Sequence, residues 1–320
     1  MIVAAVLAGY AALAATLGAA ALRRAAWPQR APALGVAAWQ ALSISSVLAV
    51  VLAGLALAVP TNVVAAGLAE LLQACLWALR AEYGPIGGPL LGAVGVTVAA
   101  GVTGRATALI VRELAGAARR RRRHQALLAL VARHDSRLGA LVVPHQVAAA
   151  YCLPGGCRQV VLTSAALAAL DDEQLASVLA HEHAHLRGRH HLAVGAATGL
   201  RRAFPGVPVF RHAAEQIAGL IEMLADDAAV AHADRHSHAA ALVALAEGAA
   251  PSPALAAGGP QALARVRRLL APHQPLGVLH RAAAALVVVV LVALPIAVAI
   301  APALVAAQSP YCPVDLTALS

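Results

Sequence analysis

Four long apolar stretches constrain the fold of this chain more than any other feature. They run over Ile2–Leu22, Leu34–Val59, Ile86–Gly104 and Ala282–Ala301, and none contains Asp, Glu, Lys or Arg. About 20 such residues in a helix span the hydrocarbon core of a bilayer. Because 61% of the residues are hydrophobic and 12% are charged, a water-soluble globule would expose large apolar patches. The sequence therefore predicts an α-helical membrane protein with four transmembrane helices.

The distribution of arginine predicts how these helices are oriented. All 24 basic residues are arginine, and 20 of them lie between Arg105 and Arg281. Loops rich in Lys and Arg stay on the cytoplasmic side of a membrane. We therefore expect a multi-pass protein of the plasma membrane, with the region between the third and fourth spans in the cytoplasm. No positive residue precedes the first apolar stretch, which indicates a retained span and not a secretory signal.

The spans divide the chain into four predicted parts. These are a three-span region over residues 1–111, a cytoplasmic domain over 112–281, a fourth transmembrane helix over 282–307 and a short extracytoplasmic tail over 308–320. Segment Gly67–Leu79 is interrupted by Glu70 and Gln73, which favours an interfacial or external helix.

The run Arg119–Arg123 indicates contact with the lipid bilayer. Basic residues at a membrane surface attract anionic lipids, and they also anchor a loop on the cytoplasmic side. No aromatic residues that could stack on bases are interleaved with the run. We therefore expect no direct binding of nucleic acid.

The predicted cytoplasmic domain begins with short apolar runs that are typical of strands. These runs are Ala140–Val143, Val147–Cys152 and Gln159–Thr163, and Pro154-Gly155-Gly156 between the last two is a turn signal that predicts a hairpin. Asp171 and Asp172 then suit a helix N-terminus. The pattern predicts an inserted α+β domain in which a helix follows the hairpin.

That helix carries the segment His181-Glu182-His183-Ala184-His185. Residues i and i+4 share one helical face, so His181 and His185 can present their imidazoles to one metal ion. Glu182 can then act on a water molecule without being a ligand, which is the HExxH arrangement. With 14 His in the chain, composition gives on the order of 0.01–0.02 chance matches.

A catalytic zinc site needs a third protein ligand, and two candidates remain open. His191 completes the string HExxHxxGxxH, with Met223 as a possible Met-turn residue. Glu222 lies in Glu222-Met223-Leu224-Ala225-Asp226, where Asp226 can support a ligand histidine. We favour Glu222, because His191 as the ligand leaves the paired acids unexplained. His190 and His191 then become polar helix-end residues that face solvent or lipid head groups.

The chain resembles the BlaR/MecR-type integral-membrane metallopeptidases, on the gluzincin side of the zincins. The segments that carry this resemblance are Tyr151–Gly155, Val160–Ser164, His181–His185 and Glu222–Asp226. It implies a zincin-like domain with one Zn²⁺ per chain, bound by His181, His185 and Glu222, and Glu182 as the catalytic base. It also implies a protein substrate, with a winged-helix repressor of the BlaI type as candidate. The external penicillin-binding domain of that family's sensors does not follow the fourth span, so we expect no β-lactam sensing by this polypeptide.

Several accessory roles are predicted less directly. In similar enzymes a substrate strand pairs with the edge strand beside the active helix, and Gln159–Thr163 is the candidate here. Four residues can supply a second oxyanion donor, and the sequence does not rank them: Arg201, His232, Arg235 and His236. A thiolate of Cys152 or Cys157 capping the zinc, and a disulfide between Cys75 and Cys312, are further hypotheses.

Two alternatives remain, one a different protease and the other non-catalytic. An HtpX-type quality-control protease or a CAAX-type protease shares the HExxH and ExxAD-like motifs. A signalling scaffold or a metal-handling protein would use the histidines without catalysis. The clear spans contain no ionisable residue of the kind that an ion pathway needs, and Glu182 has no structural reason to stand beside His181 in a scaffold. Both observations favour a peptidase over the second alternative. The number of spans before the predicted zinc helix, and the fourth span after it, favour the BlaR/MecR type over the first alternative.

Overall fold

The computed structural model describes residues 1–58, 88–155, 158–248, 253–272 and 274–307. Its helices are α1 (Ile2–Leu13), α2 (Ala19–Arg24), α3 (Trp27–Arg30), α4 (Pro32–Ala58), α5 (Gly88–Val131), α6 (Ser164–Ala169), α7 (Asp172–Arg187), α8 (His190–Ala203), α9 (Pro208–Ala229), α10 (Arg235–Glu247), α11 (Pro253–Leu270) and α12 (Val278–Ala307). Its strands are β1 (Arg133–Asp135), β2 (Ala140–Val143), β3 (Ala150–Leu153) and β4 (Gln159–Thr163). The hypotheses on Gly67–Leu79, Cys75, Cys157, Cys312 and the tail 308–320 concern positions outside the described residues.

The helical structure contains four segments that are long and apolar enough to cross a membrane. They are Ile2–Arg24, Pro32–Ala58, Leu90–Val131 and Val278–Pro302, which confirms the prediction of four candidate spans. The first is continuous because a π-helical turn over Ala14–Gly18 joins α1 to α2. The third is longer than predicted, since α5 continues through the run Arg119–Arg123 to Val131. It thus crosses the predicted domain boundary at residue 111 without a break.

The residues form two compact units. The first contains Met1–Gly18, Ala41–Arg105 and Val287–Ser320. Within it, the Tyr10 hydroxyl donates to the carbonyl oxygen of Leu291 at 3.0 Å and is also hydrogen-bonded to the Ser45 hydroxyl. Helices α4 and α5 approach so closely at Gly54 and Gly95 that a Cβ on Gly95 would lie 2.3 Å from the Gly54 carbonyl oxygen. Small residues permit such close contacts between helices in membranes.

The second unit contains Ala19–Gln40 and Ala106–Leu286, and a four-stranded sheet lies within it. The strand order is β1-β2-β4-β3, with β2 and β4 parallel and the other two pairs antiparallel. The predicted hairpin of β3 and β4 is confirmed, whereas β1 was not predicted. The prediction that Gln159–Thr163 is the edge strand is wrong, because β4 pairs with a neighbour on each side. The edge strand that packs against α7 is β3.

Burial of both faces explains why β4 lies inside the sheet. Val160 and Leu162 belong to a core cluster with Val178 and Leu186 of α7. The other face presents Val161, which packs in a cluster with Leu128 of α5. An apolar residue at each of three successive positions suits a strand covered on both sides, and this strand thereby fixes the position of α7.

Helix α7 begins at the predicted position. The Asp171 carboxylate accepts from the Gln174 backbone N–H at 2.8 Å, and the Gln174 side-chain oxygen accepts from the Asp171 N–H at 3.2 Å. This capping box satisfies two amides that would otherwise lack acceptors. Helix α9 packs against α7 and α8, and α10 packs against α7 and α11. The face of α7 that bears His181 and His185 therefore meets side chains from α9.

Candidate metal centre

Helices α7 and α9 bring the favoured metal ligands together. One donor atom from each of His181, His185 and Glu222 lies within 4.8 Å of the other two. The two Nε2 atoms of the histidines are 3.1 Å apart, and each lies 3.5 Å from a carboxylate oxygen of Glu222. Two imidazoles and one glutamate form a donor set that zinc takes in hydrolytic enzymes. The residues present therefore fit a zinc ion.

The two histidines differ in their affinity for protons. Burial lowers the pKa of His185 to about 4. Burial also lowers the pKa of His181, but the adjoining carboxylates of Asp226 and Glu222 outweigh it and raise the value to about 9. Burial raises the pKa of Glu222, and His181 and Arg265 reverse this and lower it. The negative charge of Glu222 is thus favoured where a cation would bind.

Asp226 lies on the other side of the His181 ring. Its Oδ1 is 3.1 Å from His181 Nδ1 and 3.1 Å from His238 Nε2. His238 is fully buried, and its Nδ1 lies 3.1 Å from the Ser177 hydroxyl oxygen. With Nδ1 beside Asp226, His181 directs its Nε2 toward Glu222. This is the arrangement expected if the Asp226 carboxylate orients a ligand histidine.

Arg265 of α11 connects the two carboxylates. Its guanidinium donates to both oxygens of Asp226, at 2.6 and 2.8 Å, and lies 3.1 Å from a Glu222 oxygen. Burial raises the pKa of Asp226, but Arg265, His181 and His238 more than compensate and hold it well below its usual range. His181, Asp226 and His238 also lie close enough to bind a metal. Arg265 binds both oxygens of Asp226 but contacts one oxygen of Glu222, whose other oxygen lies beside His185, so the centre with Glu222 is the better site.

His190 supports the second histidine of the motif. Its Nδ1 lies 3.0 Å from His185 Nδ1, and the residue is 8% exposed. Arg189 adopts a left-handed conformation at φ 49°, which turns the chain between α7 and α8. A Cβ on Gly188 would lie 2.2 Å from His190 Nε2, so glycine leaves room for the ring. The expectation that His190 faces solvent or lipid is wrong, because this turn places the imidazole beneath His185.

Glu182 lies next to the metal centre at a small cavity. The residue is 9% exposed, and burial raises its pKa. Its carboxylate is hydrogen-bonded to the Cys152 thiol of β3, and burial together with Glu182 raises the pKa of that thiol to about 12. Cys152 belongs to neither group of potential metal-binding side chains among the described residues. The cavity has a volume of about 320 Å³. Its lining combines small or apolar residues such as Ala148 and Leu242 with the polar and charged residues His181, Glu182, Glu222, His238 and Arg265.

The other residues proposed from the sequence lie elsewhere. His191 belongs to neither group of metal-binding side chains among the described residues. Arg201, His232, Arg235 and His236 do not line the cavity in the described part of the chain. Sequence reasoning missed His190, His238 and Arg265. His190 had a local signal, as it follows His185 by five residues, whereas Arg265 is 39 residues from Asp226 and had none.

Comparison with known proteins supports a metallopeptidase. Residues 115–218 match the model of peptidase family M48, which is about a third of the chain. This segment contains His181, Glu182 and His185 and ends before Glu222. No curated protein and no solved structure matches the chain.

Proposed function

We propose that this protein is a zinc-dependent endopeptidase of the membrane, with its active site on the cytoplasmic side. The observation that carries the proposal is the convergence of His181, His185 and Glu222 within 4.8 Å, with Glu182 adjoining them at a cavity. The match of residues 115–218 to peptidase family M48 supports it independently. The cytoplasmic location rests on the distribution of arginine.

His181, His185 and Glu222 would hold the metal. When bound, zinc supplies Lewis acidity that acidifies a water molecule and polarises the scissile carbonyl. Glu182 takes the proton of the attacking water and passes it to the leaving amine nitrogen, which is general base and then general acid catalysis. Asp226 and His190 act through the ligand histidines by holding their rings in orientation. They are positioning residues.

The cavity and the sheet edge indicate how a peptide would bind. An extended peptide can add a strand to an exposed sheet edge, and β3 is the edge strand beside α7. Ala148, Leu242 and Leu245 line the adjoining cavity. A substrate strand on β3 therefore places an apolar side chain in this cavity, next to Glu182.

The finer proposal concerns the substrate. The resemblance to BlaR/MecR-type metallopeptidases supports a winged-helix repressor of the BlaI type as the protein that is cleaved. Cells that carry Glu182→Gln should then accumulate one uncleaved repressor when their proteome is compared with wild type. Accumulation of many unrelated membrane proteins would instead favour a quality-control protease.

The activity itself is tested with purified full-length protein in detergent. Glu182→Gln preserves the size of the side chain but removes the base, so we expect about 10²–10⁴-fold slower hydrolysis of an unfolded protein substrate. Its zinc content should stay at the wild-type level. Glu215→Gln on α9 is the matched control, because Glu215 is 54% exposed and lies outside the cavity lining. Equal cleavage by the Glu182 and Glu215 variants would refute the peptidase.

A further inference from the structure

A second and larger cavity lies within the second unit and shares no lining residue with the cavity at Glu182. It has a volume of about 660 Å³ and is lined by three arginines, Arg30, Arg235 and Arg281. All of its lining residues belong to Ala19–Gln40 or Ala106–Leu286. The proposed peptidase chemistry uses none of the three guanidiniums.

Two of the guanidiniums are held in place by neutral groups. Arg30 Nε donates to the carbonyl oxygen of Gln274 at 3.1 Å. Arg235 donates from Nε and Nη2 to the carbonyl oxygens of Leu269 and Arg268, each at 3.0 Å. Carbonyl oxygens fix the position of a guanidinium but do not neutralise its charge. These hydrogen bonds therefore hold the two arginine side chains in place without neutralising their positive charge.

The cavity's own carboxylate is already bound. Among the described lining residues Asp227 is the acidic one. Both of its oxygens accept from Arg268, at 2.7 and 2.9 Å. The charge of Asp227 is thus balanced by Arg268, and the three arginines of the cavity still lack a matching anion there.

The remaining walls are apolar, and part of the lining belongs to candidate spans. Pro32 and Leu34 line the cavity at the beginning of α4, and Arg281 lies in the first turn of α12. Both helices are long and apolar enough to cross a membrane. Leu224 and Val230 add apolar surface from the end of α9 and the residue after it. The cavity therefore combines positive charge with apolar walls where two candidate spans begin.

We propose that this cavity binds the phosphate group of an anionic phospholipid. Guanidinium groups form strong charge-assisted hydrogen bonds with phosphate, and the first amides of α4 add to the positive field. A free phosphate ion would use the arginines alone, whereas a lipid also covers the apolar walls. This binding does not depend on the peptidase activity.

The test measures lipid binding by the full-length protein in detergent, by native mass spectrometry. The probes are phosphatidylglycerol and phosphatidylcholine with identical acyl chains. We expect one phosphatidylglycerol to bind in preference to phosphatidylcholine, and the double variant R30Q/R281Q to bind it about tenfold more weakly or worse. R23Q/R24Q is the matched control, because it removes the same charge from exposed arginines outside the cavity lining. It should bind within about twofold of wild type.

Several results would overturn the proposal. Equal losses in the two double variants would show diffuse attraction by surface charge. If phosphatidylcholine binds as well as phosphatidylglycerol, the cavity does not require an anion. If inorganic phosphate stabilises the protein as much as phosphatidylglycerol does, the ligand is a soluble anion. The thermal unfolding transition of each variant reports whether it is folded. If R30Q/R281Q does not fold, the single variant Arg281→Gln, whose side chain is exposed, is expected to weaken binding relative to Arg23→Gln, and equal binding by these two single variants would overturn the proposal.

Discussion

His181 and His185 lie on the same face of α7, but the side chains around them differ. Asp226 and Glu222 adjoin His181 and raise its pKa to about 9, while burial lowers the pKa of His185 to about 4. The carboxylate partner of His181 comes from α9, and the imidazole partner of His185 comes from α8. The two histidines of the HExxH motif are thus supported by different side chains, Asp226 for His181 and His190 for His185.

The first prediction concerns the third ligand. Glu222→Gln removes the negative charge that lies 3.5 Å from both proposed ligand histidines, so the purified variant should lose its zinc. His191→Ala should retain it, because His191 is outside the described metal-binding groups. Metal content per chain, measured by mass spectrometry of the purified proteins, checks both. The opposite pattern would make His191 the ligand.

The second prediction concerns His190. His190→Ala removes the partner of His185 Nδ1, and we expect zinc affinity to fall about 10–100-fold, as for other groups that orient a ligand. His183→Ala is the control on the same helix, since the His183 ring donates to the Leu179 carbonyl oxygen at 2.8 Å and contacts no proposed ligand through that bond. Competition with a chelator gives the affinities. An unchanged affinity in His190→Ala would contradict the positioning role.

Among the elements, the sheet shows which features can be predicted from residues that are close in sequence and which cannot. Apolar runs and the turn at Pro154-Gly155-Gly156 predicted β2, the β3–β4 hairpin and the start of α7. The strand order was not predictable, because the parallel pairing of β2 with β4 depends on helices that cover both faces of β4. This pairing leaves β3 at the edge, where a substrate could add to the sheet.

The third prediction concerns the contact between α4 and α5. Gly95→Ala places a Cβ against the Gly54 carbonyl oxygen, so the helices must separate, and we expect destabilisation of about 1–3 kcal/mol. Gly101→Ala on the same helix meets nothing within 4 Å and should be neutral or slightly stabilising. Thermal unfolding of the purified protein in detergent compares the two. Equal melting temperatures would exclude the close contact.

For the whole molecule, the four candidate spans and the arginine distribution predict which side bears the metal centre. Ser136 lies in the exposed turn after β1 and is therefore a suitable position for a labelled cysteine. In a background without native cysteines, Ser136→Cys should react with a membrane-impermeant thiol reagent only after the cells are permeabilised. A variant that keeps Cys312 alone should react in intact cells, because the tail is predicted to be external. Labelling of Ser136→Cys in intact cells would reverse the orientation.

The sequence by itself determined the candidate spans, the hairpin and the HExxH helix, because each follows from residues close together along the chain. It also singled out Glu222 and Asp226, since their spacing of four residues places both on one face of α9. Only the tertiary structure showed that Arg265 binds Asp226, that His190 lies beneath His185 and that Arg30, Arg235 and Arg281 share a cavity. These groups are far apart in sequence or face an unexpected direction, and their contacts depend on how the helices pack.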